Sequence, residues 1–314
     1  MTAVIPPRVR PGERVGVCAP AGPIKAERLA RGVARLGEAF RVTVAPSLGA
    51  PQPADAPPYL AASDAQRADE LGALLRDPDV RAIILARGGY GLMRILPLLD
   101  PDVLRRDPKP IVGFSDATAL LAWAYSAGVR GIHGPMVGQL GELPASDAAH
   151  LIALLTEPRA PGVRPWRLET TGSGTVRGPV VPANLTMASL LVATPWPVPL
   201  AGAIALFEEV NEKPYELDRY LTQLILTRTL TAVAAVVFGD LTRCTDPAPP
   251  LGEPGAHPTE ALRTVRERVA AAQKPCAVGA PVGHGARNEA IPFGAASELD
   301  LDHGTLAILE PAVA

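Results

Sequence analysis

Short apolar runs alternate with segments of helical periodicity through the first half of the chain. The apolar runs, which predict buried strands, are Arg14–Cys18, Arg41–Val44, Val80–Ala86 and Pro110–Phe114. The periodic segments, which predict helices, are Ala26–Phe40, Ala62–Arg76, Tyr90–Leu99 and Asp116–Ala127. Within the second of these, Ser63 and Gln66 form a capping box ahead of an apolar stripe. This alternation is typical of an α/β fold with a mainly parallel sheet, in which ligands bind beyond the carboxyl ends of the strands.

The texture of the sequence changes at residues 157–179, where Pro, Gly, Arg and Thr replace the periodic apolar positions. This change predicts a linker between one domain over residues 1–156 and a second over residues 180–314. The second domain has predicted helices at Asn184–Val192, Tyr215–Thr227 and Thr259–Ala272. Its predicted strands are Ala203–Phe207, Ala232–Phe238, Cys276–Gly279, Glu289–Phe293 and Thr305–Leu309, and a proline-rich loop covers Thr245–Pro258.

Composition and charge narrow the class of protein. Apolar residues make up 47% of the chain and charged residues 20%, which is typical of a globular protein with a sizeable core. The net charge is −2 and no basic run is present, so nucleic acid is not an expected partner. Three widely spaced cysteines predict neither a disulfide framework nor a zinc site. Since the sequence has neither a signal peptide nor an apolar stretch of about 18 residues, we expect a cytoplasmic protein without a membrane partner.

A serine lies at the point where a predicted strand meets a helix. Ile111–Gly113 runs through Phe114 into Ser115, and a helix is predicted from Asp116. This outline resembles a nucleophile elbow, in which a sharp turn exposes the hydroxyl and the helix N-terminus offers N–H groups to an oxyanion. The alternative is that Ser115 or Asp116 only caps the helix. Ala117 also replaces the second glycine of the usual elbow motif.

A glycine-rich turn follows another predicted strand, at Arg87–Gly91. Gly88 and Gly89 allow close backbone approach, as a nest of N–H groups facing an anion requires. Arg87 is a candidate ligand for a substrate carboxylate. The alternative is an ordinary turn between a strand and a helix. The segment matches neither a phosphate-binding loop nor a dinucleotide fingerprint.

A nucleophilic serine needs a base and a group that orients the base. His133 and His284 both stand among glycines, and the sequence pattern leaves either as the base, whereas His150, His257 and His303 lie in polar surroundings. A carboxylate follows the apolar strand Ala203–Phe207, at Glu208 and Glu209. At the end of a buried strand, a carboxylate can hold one imidazole tautomer and stabilise the imidazolium. A surface or capping role for this carboxylate is the alternative.

Several motifs together resemble one known family. They are Arg87–Gly91, Gly113–Asp116, Leu206–Glu209, Asp218–Leu224 and Gly283–His284. In this order and spacing, the chain resembles the LD-carboxypeptidases, serine peptidases that include muramoyltetrapeptide carboxypeptidases and microcin C immunity proteins. The resemblance extends over nearly the whole chain. Glu209 occupies a position where an Asp is common in the family.

The resemblance implies a catalytic triad of Ser115, Glu208 and His284, and it favours His284 over His133 as the base. It also implies a flavodoxin-like N-terminal domain, a smaller β-rich C-terminal domain and a homodimer. The expected reaction releases D-alanine from a murein tetrapeptide in cell-wall recycling, and it needs no metal or other cofactor. The expected oxyanion donors are backbone N–H groups of Asp116 and of the turn at Gly88 and Gly89.

Three alternative functions are open at this point. A hydrolase of aminoacyl-nucleotide toxins, like the microcin immunity proteins, would need an aromatic side chain to stack a base, and Trp166 and Trp196 are the candidates. An ordinary α/β-hydrolase shares the order of Ser, acid and His, but Ala117 and the brief C-terminal strands fit it poorly. A non-catalytic two-domain binding protein would have an unreactive Ser115.

Overall fold

The computed structural model describes residues 3–50, 52, 56–247 and 258–314, and the chain divides into two compact units. The first unit holds the chain up to Arg159 together with Glu289–Pro292 and Pro311–Ala314. The second unit holds Ala160–Asn288 and Phe293–Glu310. The C-terminal residues therefore return twice to the first unit, whereas the sequence predicts that they all belong to the second domain.

The strands and helices alternate along most of the described chain. The strands are β1 (Arg14–Cys18), β2 (Arg41–Val44), β3 (Val80–Leu85), β4 (Ile111–Gly113), β5 (Ile132–His133), β6 (Gly162–Val163), β7 (Glu169–Thr171), β8 (Thr175–Asn184), β9 (Ile204–Val210), β10 (Ala235–Thr242), β11 (Cys276–Val278), β12 (Ile291–Pro292), β13 (Ala295–Asp300) and β14 (Thr305–Ile308). The helices are α1 (Ala26–Gly37), α2 (Asp64–Arg76), α3 (Leu92–Ile95), α4 (Pro101–Arg106), α5 (Thr118–Ser126), α6 (Val137–Leu140), α7 (Ala145–Thr156), α8 (Leu185–Leu190), α9 (Pro214–Leu226) and α10 (Thr259–Ala271).

The first unit is built on a parallel sheet with the strand order β2-β1-β3-β4-β5. Strand β12 adds to its edge in the antiparallel direction. This is the flavodoxin-like order, in which the direction of winding reverses between β1 and β3 and leaves a crevice beyond the ends of those strands. The predicted α/β class with a flavodoxin-like first domain is confirmed. Strand β12 lies within the predicted strand Glu289–Phe293, but it pairs in this sheet and not in the second unit.

The local sequence accounts for the strongest elements of this unit. Strand β3 is apolar and almost wholly buried, as a central parallel strand with helices on both faces should be. Helix α2 begins as predicted, because the Ser63 hydroxyl accepts a hydrogen bond from the Gln66 N–H at 3.2 Å. The predicted helix at Tyr90–Leu99 is shorter in the structure, where α3 gives way to a 3₁₀ turn at Leu96–Leu98 that contains Pro97.

The second unit contains a mixed eight-stranded sheet, in the order β6-β14-β13-β8-β9-β10-β11-β7. Strands β8, β9, β10 and β11 are parallel and form its centre. The remaining strands pair in the antiparallel direction on either side. Strands β6, β7 and the first half of β8 lie in the segment 157–179 that the sequence predicts as a linker. Their polar, half-exposed residues show little periodic pattern, so these strands are defined by their pairing at the edges of the sheet and not by their sequence.

Two further expectations from the sequence concern the proline-rich loop and the lack of a membrane-spanning segment. Most of the predicted proline-rich loop Thr245–Pro258, including His257, lies outside the described residues. Among the helices that are described, none combines the length and the apolar character that a bilayer crossing demands.

Candidate active site

Ser115 has a strained backbone at the end of strand β4. After Phe114 in extended conformation, Ser115 adopts a positive φ of 62° and opens a 3₁₀ turn over Ser115–Ala117. Helix α5 follows directly. A left-handed conformation costs a non-glycine residue about 1–2 kcal/mol, and such strain tends to occur at functional sites. The half-buried Ser115 therefore stands on the strand–turn–helix that the sequence predicts, without the second elbow glycine.

Asp116 anchors this turn through its side chain. It is 4% exposed, and its Oδ2 accepts a hydrogen bond from the Leu92 N–H at 2.9 Å. Burial raises the pKa of Asp116 to about 6, although the bond from Leu92 opposes the rise. The carboxyl group links the serine turn to the first residue of α3, and the predicted role of Asp116 as an oxyanion donor concerns only its backbone N–H.

The glycine-rich turn packs against the serine with its backbone. A Cβ placed on Gly88 would lie 3.2 Å from Ser115 Cβ and 3.3 Å from Ser115 Oγ. Gly89 has a φ of +107° and Gly91 a φ of +126°, which few other residues adopt. Within the described chain, the N–H groups of Gly88 and Gly89 donate to no other backbone carbonyl. The structure thus brings the serine together with Gly88, one of the predicted oxyanion donors, while the neighbour of Gly89 is Gly22.

Arg87 lies at the exposed side of the same turn. Its Nη1 donates to the Pro23 carbonyl at 2.8 Å, and Pro23 belongs to the loop that follows β1. A second link joins these loops, because the Gly22 N–H donates to the Gly88 carbonyl at 3.0 Å. The turns after β1 and β3 are therefore tied together at the point where the winding of the sheet reverses.

Arg67 supports the glycine-rich turn through hydrogen bonds to backbone carbonyls, a role that the sequence pattern does not predict. Its side chain is 1% exposed, and Nη1 donates to the carbonyls of Pro20 and, at 3.1 Å, of Gly91. The side chain also pairs with Asp64. Burial lowers the pKa of Arg67, while Asp64 counteracts this effect. A sign was present in the sequence, because residue 67 falls on the same helical stripe as Leu71 and the other buried apolar residues of α2.

The second unit holds a hydrogen-bonded acid–imidazole pair. Oε2 of Glu208, on β9, lies 2.7 Å from Nδ1 of His284 in the loop after β11. The Glu208 side chain is wholly buried, whereas the His284 side chain is 21% exposed. A carboxylate on Nδ1 fixes the tautomer and leaves Nε2 to exchange protons. The structure thus brings together the predicted acid and the predicted base.

Electrostatics in this unit favour the charged imidazole. Burial lowers the pKa of His284, whereas the negative charge of Glu208 and the hydrogen bond to it raise that pKa, and the net shift is upward. Glu209 and Asp240 add to this rise. The arrangement stabilises an imidazolium, the form that a general base reaches in the middle of acyl transfer.

Glu209 points to the opposite face of β9 and has a different set of partners. Its carboxylate accepts hydrogen bonds from Asn184 Nδ2 at 3.0 Å, from the Thr186 N–H at 2.8 Å and from the Thr186 hydroxyl at 2.7 Å. Burial raises the pKa of Glu209, and Glu208 adds to the rise, while these bonds oppose it. Glu209 therefore holds the start of α8.

The other histidines stand in unlike surroundings. His133 is wholly buried in β5, opposite Gly113, with its ring edge-on to Phe114 at a centroid distance of 5.8 Å. His150 is half-buried with Nε2 3.0 Å from a backbone oxygen, and the exposed His303 pairs with Asp300 at 2.9 Å. His284 and His303 both have a carboxylate on Nδ1, but only the carboxylate beside His284 is wholly buried.

The first unit thus carries a strained serine beside a glycine turn, and the second unit carries an acid–imidazole pair. Residues 15–134 match the protein family described as "LD-carboxypeptidase N-terminal domain", and residues 177–299 match the family described as "LD-carboxypeptidase C-terminal domain". A Streptomyces coelicolor protein with a carboxypeptidase name is 36% identical over 99% of this chain and 97% of that protein. The chain belongs to the LD-carboxypeptidase family.

Two further comparisons bear on function. The murein tetrapeptide carboxypeptidase of Pseudomonas aeruginosa is 33% identical over 77% of this chain and 80% of that protein. A solved structure of the microcin C7 self-immunity protein MccF in complex with aspartyl sulfamoyl adenosine superposes with a TM-score of 0.85. It covers 99% of this chain and 100% of that chain at 24% identity, which shows that the two proteins share a fold.

Proposed function

We propose that this protein is a serine carboxypeptidase that cleaves an L-to-D peptide bond and releases a C-terminal D-amino acid from a murein peptide. The observation that supports it most is the bond of 2.7 Å between Glu208 and His284. A buried acid that holds an imidazole has a clear use when a nucleophile is present, and the strained Ser115 is the candidate. The carboxypeptidase names of the relatives indicate the reaction class.

The proposed reaction is acyl transfer in two steps. Nε2 of His284 removes the Ser115 proton as Oγ attacks the carbonyl carbon of the scissile bond, and Glu208 stabilises the imidazolium that forms. The imidazolium then protonates the leaving amine, so that the C–N bond breaks and the D-amino acid departs. Water, deprotonated by His284, hydrolyses the ester on Ser115 and regenerates the enzyme.

The oxyanion would be bound by backbone N–H groups around the serine. Gly88 lies against Ser115 Oγ, and Gly89 and Asp116 are the residues that follow Gly88 and Ser115 along the chain. A pre-organised donor of this kind contributes about 3 kcal/mol to transition-state stabilisation. The link between the Asp116 carboxyl and the Leu92 N–H supports this role, because it holds the serine turn and the glycine turn in one arrangement.

A carboxypeptidase must also recognise the free carboxylate of its substrate. Arg87 is the proposed ligand, because it is an exposed cation on the turn that packs against Ser115. Its bond to the Pro23 carbonyl uses one of the five guanidinium N–H groups and orients the side chain.

The family resemblance further supports a homodimer, which sedimentation equilibrium would test.

The second candidate function is hydrolysis of an aminoacyl nucleotide, the class of ligand bound in the MccF structure. Of the two aromatic candidates for stacking a base, Trp166 is only 5% exposed. Tyr59 and Tyr90 are more than half exposed and lie edge-to-face, with ring centroids 5.8 Å apart. These tyrosines are the observation in favour of the second function, since an exposed ring can stack on a base.

One experiment separates the two functions. The protein is incubated with a murein tetrapeptide that ends in D-alanine, with the same peptide ending in L-alanine, and with an aminoacyl adenylate analogue whose acyl bond can be cleaved. We expect mass spectrometry to detect release of D-alanine from the first peptide alone, and no release with Ser115→Ala. Cleavage of the nucleotide without release of D-alanine would replace the proposal with the second function, and inertness toward all three would contradict both.

A further inference from the structure

Strand β10 contains a bulge beside the acid–imidazole pair. In its register with β9, Phe238 lies opposite Phe207 and Leu241 lies opposite Glu209, so β10 carries one extra residue between these pairs. A bulge of this type redirects the side chain of the extra residue. The residues at the bulge are Gly239 and Asp240, and the position that they face on β9 is Glu208.

The loop that carries His284 fits onto this bulge through backbone atoms. The Asp240 N–H donates to the Val282 carbonyl at 2.8 Å. A Cβ on Gly239 would lie only 2.2 Å from the Val282 oxygen, so a larger residue at position 239 would push the loop away. The bulge and the loop are therefore in direct backbone contact just before the histidine.

The Asp240 carboxylate holds the other side of the histidine. Its Oδ2 accepts a hydrogen bond from the Gly285 N–H at 3.0 Å. A Cβ on Gly285 would lie 2.2 Å from that oxygen, and a Cβ on Gly283 would lie 2.9 Å from Glu208 Cβ and 3.2 Å from Asp240 Cβ. The glycines on either side of His284 thus allow its backbone to pack against two carboxylate residues at once.

We propose that Asp240 is a positioning residue for His284, which it holds through the Gly285 N–H so that Nδ1 remains on Glu208. This inference rests on the proposed function, in which His284 is the base. The peptide before His284 is held as well, because the Gly283 N–H donates to Asn288 Oδ1 at 3.0 Å. With both neighbouring peptides held, the imidazole has a defined position, and a displacement of about 1 Å costs an enzyme on the order of 100-fold in rate.

Charge at Asp240 also acts on the histidine. Glu208 from β9 and His284 from the loop face Asp240, and burial raises the pKa of Asp240 to about 6. Asp240 also lines a cavity to which β7 and α10 contribute the charged residues Glu169, Arg263, Arg266 and Glu267. The ionised Asp240 raises the pKa of His284, so its removal should move that pKa downward.

The test compares Asp240→Ala with Asp240→Asn. The alanine variant loses both the hydrogen bond and the charge, whereas the asparagine variant keeps an oxygen that can accept from Gly285. We expect kcat of D240A on the murein tetrapeptide to fall at least about tenfold with little change in KM, and D240N to retain most of kcat. In both variants, the pKa of His284 in an NMR titration should be lower than in the unmodified protein.

The NMR titration needs no substrate. The chain has 5 histidines, and the ring signal that disappears in His284→Gln is the signal of His284. Gly285→Ala should lower kcat as D240A does, whereas Gly37→Ala, where a Cβ meets nothing within 4 Å, should not. Unchanged kcat in a folded D240A, or an unchanged His284 pKa in both variants, would overturn the inference. If the unmodified protein is inactive on every substrate while the His284 pKa still responds to D240N, the proposed function fails and the link from Asp240 to His284 stands.

Discussion

Glu208 Oε2 lies 2.7 Å from His284 Nδ1, and the carboxylate in this pair is wholly buried while the imidazole is partly exposed. This asymmetry separates two tasks. The buried group stays fixed in one rotamer by packing, and the exposed group can exchange a proton with a ligand. A glutamate that only stabilised the fold would not need a histidine with one side open to solvent.

Replacing Glu208 by Gln should reduce kcat about 10²- to 10⁴-fold, because the amide cannot stabilise the imidazolium and permits the wrong tautomer of His284. The side chain keeps its volume, so the melting temperature should change little. Steady-state kinetics on the murein tetrapeptide and thermal unfolding measure these two effects.

Glu209→Gln is the matched control for this change. Because its carboxylate accepts from Asn184 and Thr186, the amide should lower the melting temperature while kcat changes only a few-fold. The reverse pattern, with E208Q active and E209Q inactive, would show that Glu209 and not Glu208 is the acid.

The raised pKa of His284 predicts a pH dependence of both activity and stability. The base must be neutral, so kcat/KM should rise with pH through a midpoint above the ordinary histidine value of 6.5. For stability the sign is opposite. A histidine whose pKa is raised by folding contributes stability that is complete below 6.5 and is lost as pH rises through the folded pKa.

Two measurements check this prediction, namely a pH–rate profile and melting temperatures across the same pH range. His284→Gln should remove its component from the stability curve. A midpoint at or below 6.5 would show that the effect of burial exceeds that of Glu208.

The backbone at Ser115 predicts a trade-off between stability and activity. Glycine adopts a φ near 62° without strain, whereas alanine does not. The free energy of unfolding of Ser115→Gly should therefore be about 1 kcal/mol larger than that of Ser115→Ala. Both variants should be inactive. Urea unfolding measures the difference.

A comparable left-handed residue provides the control. Gln273, at the end of α10, has a φ of 55°, so Gln273→Gly should be stabilised in the same way and keep full activity. Equal stabilities of S115G and S115A would mean that Ser115 is not strained.

The sequence predicts the parts of the site that depend on short-range chemistry. Ser115 and the glycine turn follow apolar strands, and the carboxyl ends of parallel strands are where ligands bind. Glu208 is predicted to follow a strand that ends at Phe207, but β9 continues through it to Val210, because pairing with β10 extends the strand beyond its apolar run. It does not predict the bulge at Asp240, because an extra residue in β10 is defined only by its pairing with β9. Nor does it predict Arg67, whose charge suggests the surface although the side chain is buried.

The edges of the second sheet are the least predictable part of the fold. Strands β6 and β7 are 2 and 3 residues long, and they form only by pairing with partners far along the chain. Strand β12 has an apolar sequence that is visible from the start, but its sequence does not indicate which of the two sheets it joins. Long-range pairing decides both cases.

The close packing of Gly88 against Ser115 predicts a selective effect of one methyl group. In Gly88→Ala, the Cβ would press on Ser115 Cβ and Oγ at 3.2 and 3.3 Å, which displaces the hydroxyl and narrows the space for the oxyanion. We expect kcat to fall at least about tenfold with the fold retained. Gly37→Ala, which adds the same methyl group to open space, should have no effect on kcat. Equal activities of these two variants would place the reaction away from the glycine turn.

Recognition of a free carboxylate predicts a specific pattern for Arg87. If its guanidinium binds the terminal carboxylate, Arg87→Ala should lower kcat/KM for the tetrapeptide about 10- to 100-fold, mainly through KM, since a hydrogen bond to a charged group contributes about 1.5–3 kcal/mol. The C-terminal amide of the same peptide lacks the charge, so the unmodified protein should cleave it poorly and R87A should cleave it no worse. Arg94, exposed nearby and paired with Asp64, is the matched control, because Arg94→Ala removes a cation without touching the turn. If R87A lowers kcat/KM equally for the peptide with a free carboxylate and for its C-terminal amide, Arg87 supports the loop through Pro23 and does not bind the carboxylate.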